Sequence, residues 1–119
     1  VRRMAVESLQ EGGQVAVVKV SGELDAYLAP QVREQVEKAL QNTKWLLIDL
    51  SEVTYIDSVG LGIMVGAAKR ANDLGGDIAI AASRPAVVRV FEISGTKELL
   101  NVVDSVDKAR EVLSASRLP

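Results

Sequence analysis

The chain has 119 residues, 48% of them apolar and 25% charged, with a formal net charge of −2. That length makes one ordinary domain able to bury about two-thirds of its unfolded surface. The near-neutral charge gives no footprint for direct binding of nucleic acid or of an anionic membrane. Cysteine and histidine are both absent, which removes disulfides, thiolate chemistry, a Ser-His-Asp triad and any Cys- or His-ligated metal. No catalytic residue, cofactor or metal site is expected. The N-terminal "VRRMAVESLQ" has no apolar run of signal-peptide length, and no segment reaches the 18 uninterrupted apolar residues of a membrane span. A cytoplasmic protein is expected, and the absence of cysteine fits a reducing compartment.

Val6 and Ser8 on one side of Gly12-Gly13, and Val15 and Val17 on the other, predict two short strands joined by a turn. The β-branched "QVAVVKV" (14–20) predicts a buried strand. Pro30 suits the first turn of a helix whose apolar stripe is Leu28, Val32, Val36, Ala39 and Leu40, with Arg33, Glu34 and Lys38 off it. "KWLLIDL" (44–50) is a second buried strand. The next helix opens near Ser58, runs to Leu74 and stops at Gly75-Gly76. "DIAIAA" (77–82) is a third buried strand. Ser83 is expected to cap a helix with Pro85 in its first turn, Val87, Val88 and Phe91 facing inward, and Gly95 at its end. "LLNVV" (99–103) reads as a last short strand, and Asp104 or Ser105 as the cap of a final helix carrying Val106, Ala109 and Leu113. Residues after about Ser114 read as a frayed tail. Strands alternating with helices on short connections predict an α/β fold of four to five strands and four helices, mostly parallel, in a single domain over 1–119 with its core at about 5–113.

The segment "YIDSVGLGIMVG" (55–66) is the unusual one. A nucleophile elbow needs glycine two residues before the serine, where Ile56 stands. Gly60, Gly62 and Gly66 miss the dinucleotide spacing by one residue, and Gly66 is followed by Ala67-Ala68 where a Walker loop needs Lys and Ser/Thr. Structurally, Ser58 suits a helix N-cap, and Asp57 suits the positive end of the helix dipole. Glycine four apart at 62 and 66 suggests close packing of that face against the sheet, because each costs about 1 kcal/mol against alanine in a helix interior. Yet Val59, Leu61, Ile63, Met64 and Val65 surround the helix start on nearly every side, with the first charge at Lys69. A helix lying on one face of a sheet cannot bury its whole circumference, so exposed apolar surface beside Ser58 suggests a docking site that phosphate could switch.

"GELD" (22–25), "IDSVGLG" (56–62) and "RPAVVRVFEISG" (84–95) resemble, in order and spacing, the anti-sigma-factor antagonists of the STAS-domain family, over roughly residues 10–105. The resemblance implies a β-α superhelical fold with an added N-terminal strand. It implies binding to an anti-sigma factor that is also an ATP-dependent serine kinase, with release of the sigma factor. It further implies phosphorylation of the serine after the aspartate, Ser58, which breaks the complex, and a metal-dependent serine phosphatase that restores it. The expected partner-contacting residues are Asp25, Asp57, Ser58, Val59, Gly60, Leu61, Gly62, Ile63 and Met64. Val59 stands where many members carry a second hydroxyl residue, which leaves Ser58 without an ambiguous neighbouring acceptor.

Two other readings fit parts of the pattern. One is a STAS subunit of a transporter or sensory assembly, where docking matters without phosphorylation. The other is a response-regulator receiver with Asp57 as phosphoacceptor; it needs an acidic pair ending the first strand and a late lysine. Here Glu23 and Asp25 are separated by Leu24, and no late-strand lysine is evident.

Overall fold

A computed structural model describes residues 4–9 and 15–117. The glycine turn expected at Gly12-Gly13, Gln14 at the head of the expected strand, and the last two residues lie outside the described residues. The chain order is β1 (Met4–Leu9), β2 (Val15–Leu24), α1 (Ala29–Ala39), β3 (Trp45–Ile56), α2 (Ser58–Asp73), β4 (Asp77–Ala81), α3 (Pro85–Ser94), β5 (Val102–Val103) and α4 (Val106–Arg117). The sheet is five-stranded in the order β1-β2-β3-β4-β5. β1 pairs antiparallel with β2, Met4 opposite Val20 and Leu9 opposite Val15; every other pairing is parallel.

Strand alternation divides the core in two. Val18 and Val20 of β2, Leu46, Ile48 and Leu50 of β3, and Ile78 and Ile80 of β4 face one way. Against them pack the α1 stripe of Val32 and Val36, the α2 residues Met64, Ala67 and Ala71, and Val87 and Phe91 of α3. The residues between them, Val15, Val17, Leu47, Ala79 and Ala81, face the opposite way onto Ala109 and Leu113 of α4. Strands apolar on both faces are what a covered parallel sheet requires. Among the described residues no buried side-chain nitrogen or oxygen lacks a partner; the buried Asp49 accepts from the Ser51 N–H at 2.9 Å and its hydroxyl at 2.6 Å.

Several boundaries differ from the sequence expectation, each for a local reason. β2 and β3 extend beyond the expected 14–20 and 44–50 to Leu24 and Ile56. β4 stops pairing at Asp49↔Ala81, so residues 50–56 of β3 run on with β2 alone, a ribbon roughly 20 Å long at ~3.3 Å per residue. The expected strand 99–103 shrinks to Val102–Val103, because the preceding residues form turns and Asn101 takes a positive φ of 50°. Ser83 does not cap α3: Arg84 holds the cap position, with no side-chain hydrogen bond. Ser105, and not Asp104, caps α4, accepting from the Lys108 N–H at 3.1 Å, while Asp104 pairs with the Lys108 ammonium at 3.0 Å. The expected frayed tail is instead helical through Arg117, and the Ser116 hydroxyl donates to Asp77 at 2.8 Å.

The burial of α2 corrects two further expectations. Met64 is 0% exposed and cannot present a side chain to a partner; Ile63, 9% exposed, is mostly core and shows only an edge to the groove between α1 and α2. Gly62 and Gly66 do not pack against the sheet, because a β-carbon at either position would meet nothing within 4 Å. Gly60 is the opposite case: a β-carbon there would collide with the Leu24 carbonyl oxygen and crowd the Leu24 and Ile56 side chains.

Stability should report this arrangement directly. Met64→Lys buries an unpaired ammonium and is expected to cost ~4 kcal/mol or more, enough to unfold a domain of ordinary stability. Gly62→Ala and Gly66→Ala should each raise stability by about 0.5–1 kcal/mol, since they gain helix propensity without a clash. Urea unfolding followed by the fluorescence of Trp45, the single tryptophan, checks all three. A destabilised Gly62→Ala variant would contradict the open space assigned to that face.

Candidate functional site

The site stands at the far end of the β2–β3 ribbon. Leu24 pairs with Ile56 in register, and both side chains are buried, fixing the two chain exits side by side. From there β2 turns into α1 and β3 turns into α2. The Asp57 N–H donates to the Leu24 carbonyl at 3.3 Å, continuing the pairing one residue past the strand.

Asp57, in extended conformation, is the N-cap of α2. Its Oδ1 accepts from the Gly60 N–H at 2.9 Å and its carbonyl accepts from the Leu61 N–H at 2.9 Å. Its Oδ2 accepts from the Ala26 N–H of the neighbouring turn at 3.3 Å. One carboxylate thereby closes the helix end and ties it to the β2–α1 connection. The cap role expected of Ser58 belongs to the preceding residue, and the reason is steric. Only with Asp57 at the cap does the side-chain-free Gly60 fall where the helix meets the Leu24 carbonyl.

Asp25 organises the other half. Its Oδ1 accepts from the Tyr27 and Leu28 N–H groups, both at 3.1 Å, and its carbonyl accepts from the Ala29 N–H at 2.8 Å, leading the chain into α1. Asp25 thus shapes the turn, and the contact between Ala26 and Asp57 brings the two acidic turns together.

Ser58 is the first residue of α2 and is exposed. Its hydroxyl makes no hydrogen bond among the described residues. Around it the sequence-predicted residues separate into two groups. Val59 is 45% exposed, Leu61 is half-buried and Gly62 is exposed, so these three share the outer surface. Gly60, Ile63 and Met64 face inward. A groove of about 290 Å³ between α1 and α2 continues the outer surface past Gly62 and Gly66 to Arg33, Lys69 and Arg70. Arg70 is paired with Glu37 across that groove at 3.1 Å.

Two residues were missed by the reading of the motif. Tyr27, on the β2–α1 connection, is 74% exposed, and Tyr55, the penultimate residue of β3, is 50% exposed. They are the chain's only tyrosines. The available signal was their position, each immediately next to a turn-forming acid segment and outside any apolar stripe. Exposed aromatics at such a place are characteristic of contact surfaces. No group of three or more acidic residues among those described could hold a metal ion. No helix among them is long and apolar enough to cross a membrane.

Known proteins share this fold. A family profile described as the STAS domain matches residues 8–109. The anti-sigma-B factor antagonist of Staphylococcus aureus (strain NCTC 8325 / PS 47) is 36% identical over 91 residues, covering 76% of this chain and 84% of that protein. The crystal structure of an anti-sigma factor antagonist from Mycobacterium paratuberculosis superposes with a TM-score of 0.81 at 26% identity, covering 96% of this chain and 95% of that one. The anti-sigma factor antagonist SpoIIAA superposes in its unphosphorylated form with a TM-score of 0.72 at 19% identity, covering 97% of this chain and 100% of that one. The Bacillus SpoIIAA in its phosphorylated form gives 0.68 at 20%, covering 95% and 100%. At those identities the SpoIIAA likeness speaks to the fold alone. With the profile covering most of its length and a curated relative above one-third identity, the chain belongs to the STAS-domain family, alongside the anti-sigma-factor antagonists.

Proposed function

We propose that this protein is an anti-sigma-factor antagonist whose unphosphorylated form binds an anti-sigma factor with serine-kinase activity, releasing a sigma factor, and that phosphorylation of Ser58 abolishes the binding. The observation that carries the reading is the exposed, unbonded Ser58 hydroxyl at the start of α2, surrounded by groups whose bonds are already committed. The names of the relatives support the partner class, and SpoIIAA is a protein of this fold solved in a phosphorylated form. The protein acts by docking and not by catalysis, in the cytoplasm, and a metal-dependent serine phosphatase regenerates the binding form.

The contact surface in this reading is Ser58, Val59, Leu61 and Gly62, extended by Tyr27 and Tyr55. Asp25 and Asp57 support it from beneath by holding the two turns. Gly60 and Met64 drop out of the surface because they are buried, and Ile63 keeps only an edge on the groove. The glycines then acquire a purpose: with no side chain at 62 and 66, a partner can approach the helix backbone closely. This offsets their cost in helix propensity.

Phosphate at Ser58 adds about −1.5 to −2 charges at pH 7 and three acceptor oxygens. The first turn of a helix tolerates that charge, so the fold survives. A partner fitted to a neutral hydroxyl has to desolvate the phosphate beside Asp57. Each tenfold loss of affinity needs only ~1.4 kcal/mol.

Two results are expected. Incubated with the cognate anti-sigma kinase and Mg-ATP, the wild-type protein should take up one acid-stable phosphate, mapped to Ser58 by peptide mass analysis, and Ser58→Ala should take up none. Because that hydroxyl caps nothing, the alanine variant should unfold within about 0.5 kcal/mol of wild type. Undiminished phosphorylation of Ser58→Ala would remove the residue from the mechanism. In the second test, Gly62→Leu and Tyr55→Ala should each keep the fold by circular dichroism and weaken anti-sigma-factor binding about tenfold, or ~1.4 kcal/mol. Normal affinity in both would take this face out of the interface.

A further inference from the structure

A cleft lies away from Ser58, at the carboxyl ends of β4 and β5, and the topology explains its existence. The β4–α3–β5 crossover packs α3 on the face shared with α1 and α2, whereas α4 packs on the opposite face. Consecutive helices thus part to opposite sides just beyond Val103, and the edge strand β5 has only two residues to fill the space. Crevices of this origin, outside the carboxyl ends of parallel strands, are where open α/β sheets hold ligands.

The cleft encloses about 660 Å³, within the size range of small-molecule sites. Its floor is apolar, made by Ala82, Val102 and Val103, and one wall is the Pro85–Val88–Arg89–Glu92 face of α3. Of the charged groups at its rim, Lys97 pairs with Glu92 at 3.6 Å and Lys108 with Asp104 at 3.0 Å. Arg89 has no carboxylate partner among the described residues, so the rim carries one uncompensated guanidinium over an apolar floor. We infer that this cleft binds a small amphipathic anion: an aromatic or otherwise apolar body seated on Val102 and Val103, with its single anionic group on Arg89. Nothing in the switch at Ser58 requires this site, so the two claims stand or fall separately.

The test uses three probes titrated into the isotope-labelled full chain and followed by amide chemical shifts. Naphthalene-1-sulfonate carries both features, sodium sulfate the charge alone, and 1-naphthalenemethanol the ring alone. The sulfonate is expected to give saturable shifts centred on Val88, Arg89, Val102 and Val103, with affinity at least fivefold above either control. Arg89→Glu, an exposed substitution, should weaken the sulfonate at least fivefold and leave the thermal midpoint unchanged. Shifts centred elsewhere, no saturation, a smaller advantage over either control, or full affinity in a folded Arg89→Glu protein would each overturn the assignment.

Discussion

Asp57 uses its two carboxylate oxygens on two different parts of the chain, the Gly60 N–H of its own helix and the Ala26 N–H of the neighbouring turn. Everything distinctive about this end of the molecule depends on that division. The first bond starts α2 at Ser58, and the register of the cap decides which residues of the helix meet the core. The second holds the β2–α1 turn, which carries the exposed Tyr27, against the helix end. Gly60 completes the constraint, because only a residue without a side chain lets the helix come up to the Leu24 carbonyl. Each oxygen of the carboxylate is engaged in a structural bond, and the adjacent hydroxyl is left over.

That separation of roles is what a phosphorylation switch needs. If the modified residue also capped the helix, adding phosphate would disturb the fold as well as the surface. Here the cap and the proposed acceptor are consecutive residues with independent roles. The ribbon of β2 and β3 beyond β4 contributes by carrying both turns outward, away from the bulk of the sheet. A rigid platform with one removable surface property can regulate binding through desolvation and charge alone, with no second conformation of the antagonist.

Much of this was legible in the sequence, and the failures have identifiable causes. The apolar runs of β2, β3 and β4 and the α1 stripe are long and periodic enough to determine themselves. Family motifs pointed to Ser58 and its neighbours. The cap was displaced by one residue because Asp and Ser are near-equal N-caps in isolation, and only the tertiary contact at Gly60 chooses between them. Ile63 and Met64 were misplaced because a helix apolar all round does not declare which side is inward; that depends on the same register. Gly62 and Gly66 read as packing residues because glycine in a helix usually answers a close neighbour, and among the described residues no such neighbour exists. Val102–Val103 and the helical continuation to Arg117 depend on long-range partners, the Asn101 side chain bonding to the Ile78 carbonyl at 2.7 Å and Ser116 bonding to Asp77. No local pattern could supply those.

In the proposed switch, phosphate at Ser58 changes the surface and leaves the fold alone. The most direct measurement is a calorimetric titration of the unphosphorylated and the fully Ser58-phosphorylated protein against the cognate anti-sigma kinase with ADP present. Amide spectra of both forms, recorded beforehand, establish whether the fold is shared. The account predicts spectra that differ only around residues 25–28 and 55–62, together with affinity at least 100-fold weaker for the phosphorylated form, about 2.7 kcal/mol. Equal affinities would leave Ser58 an ordinary helical surface residue, and weak binding accompanied by shifts spread through the core would replace the surface mechanism with a conformational one.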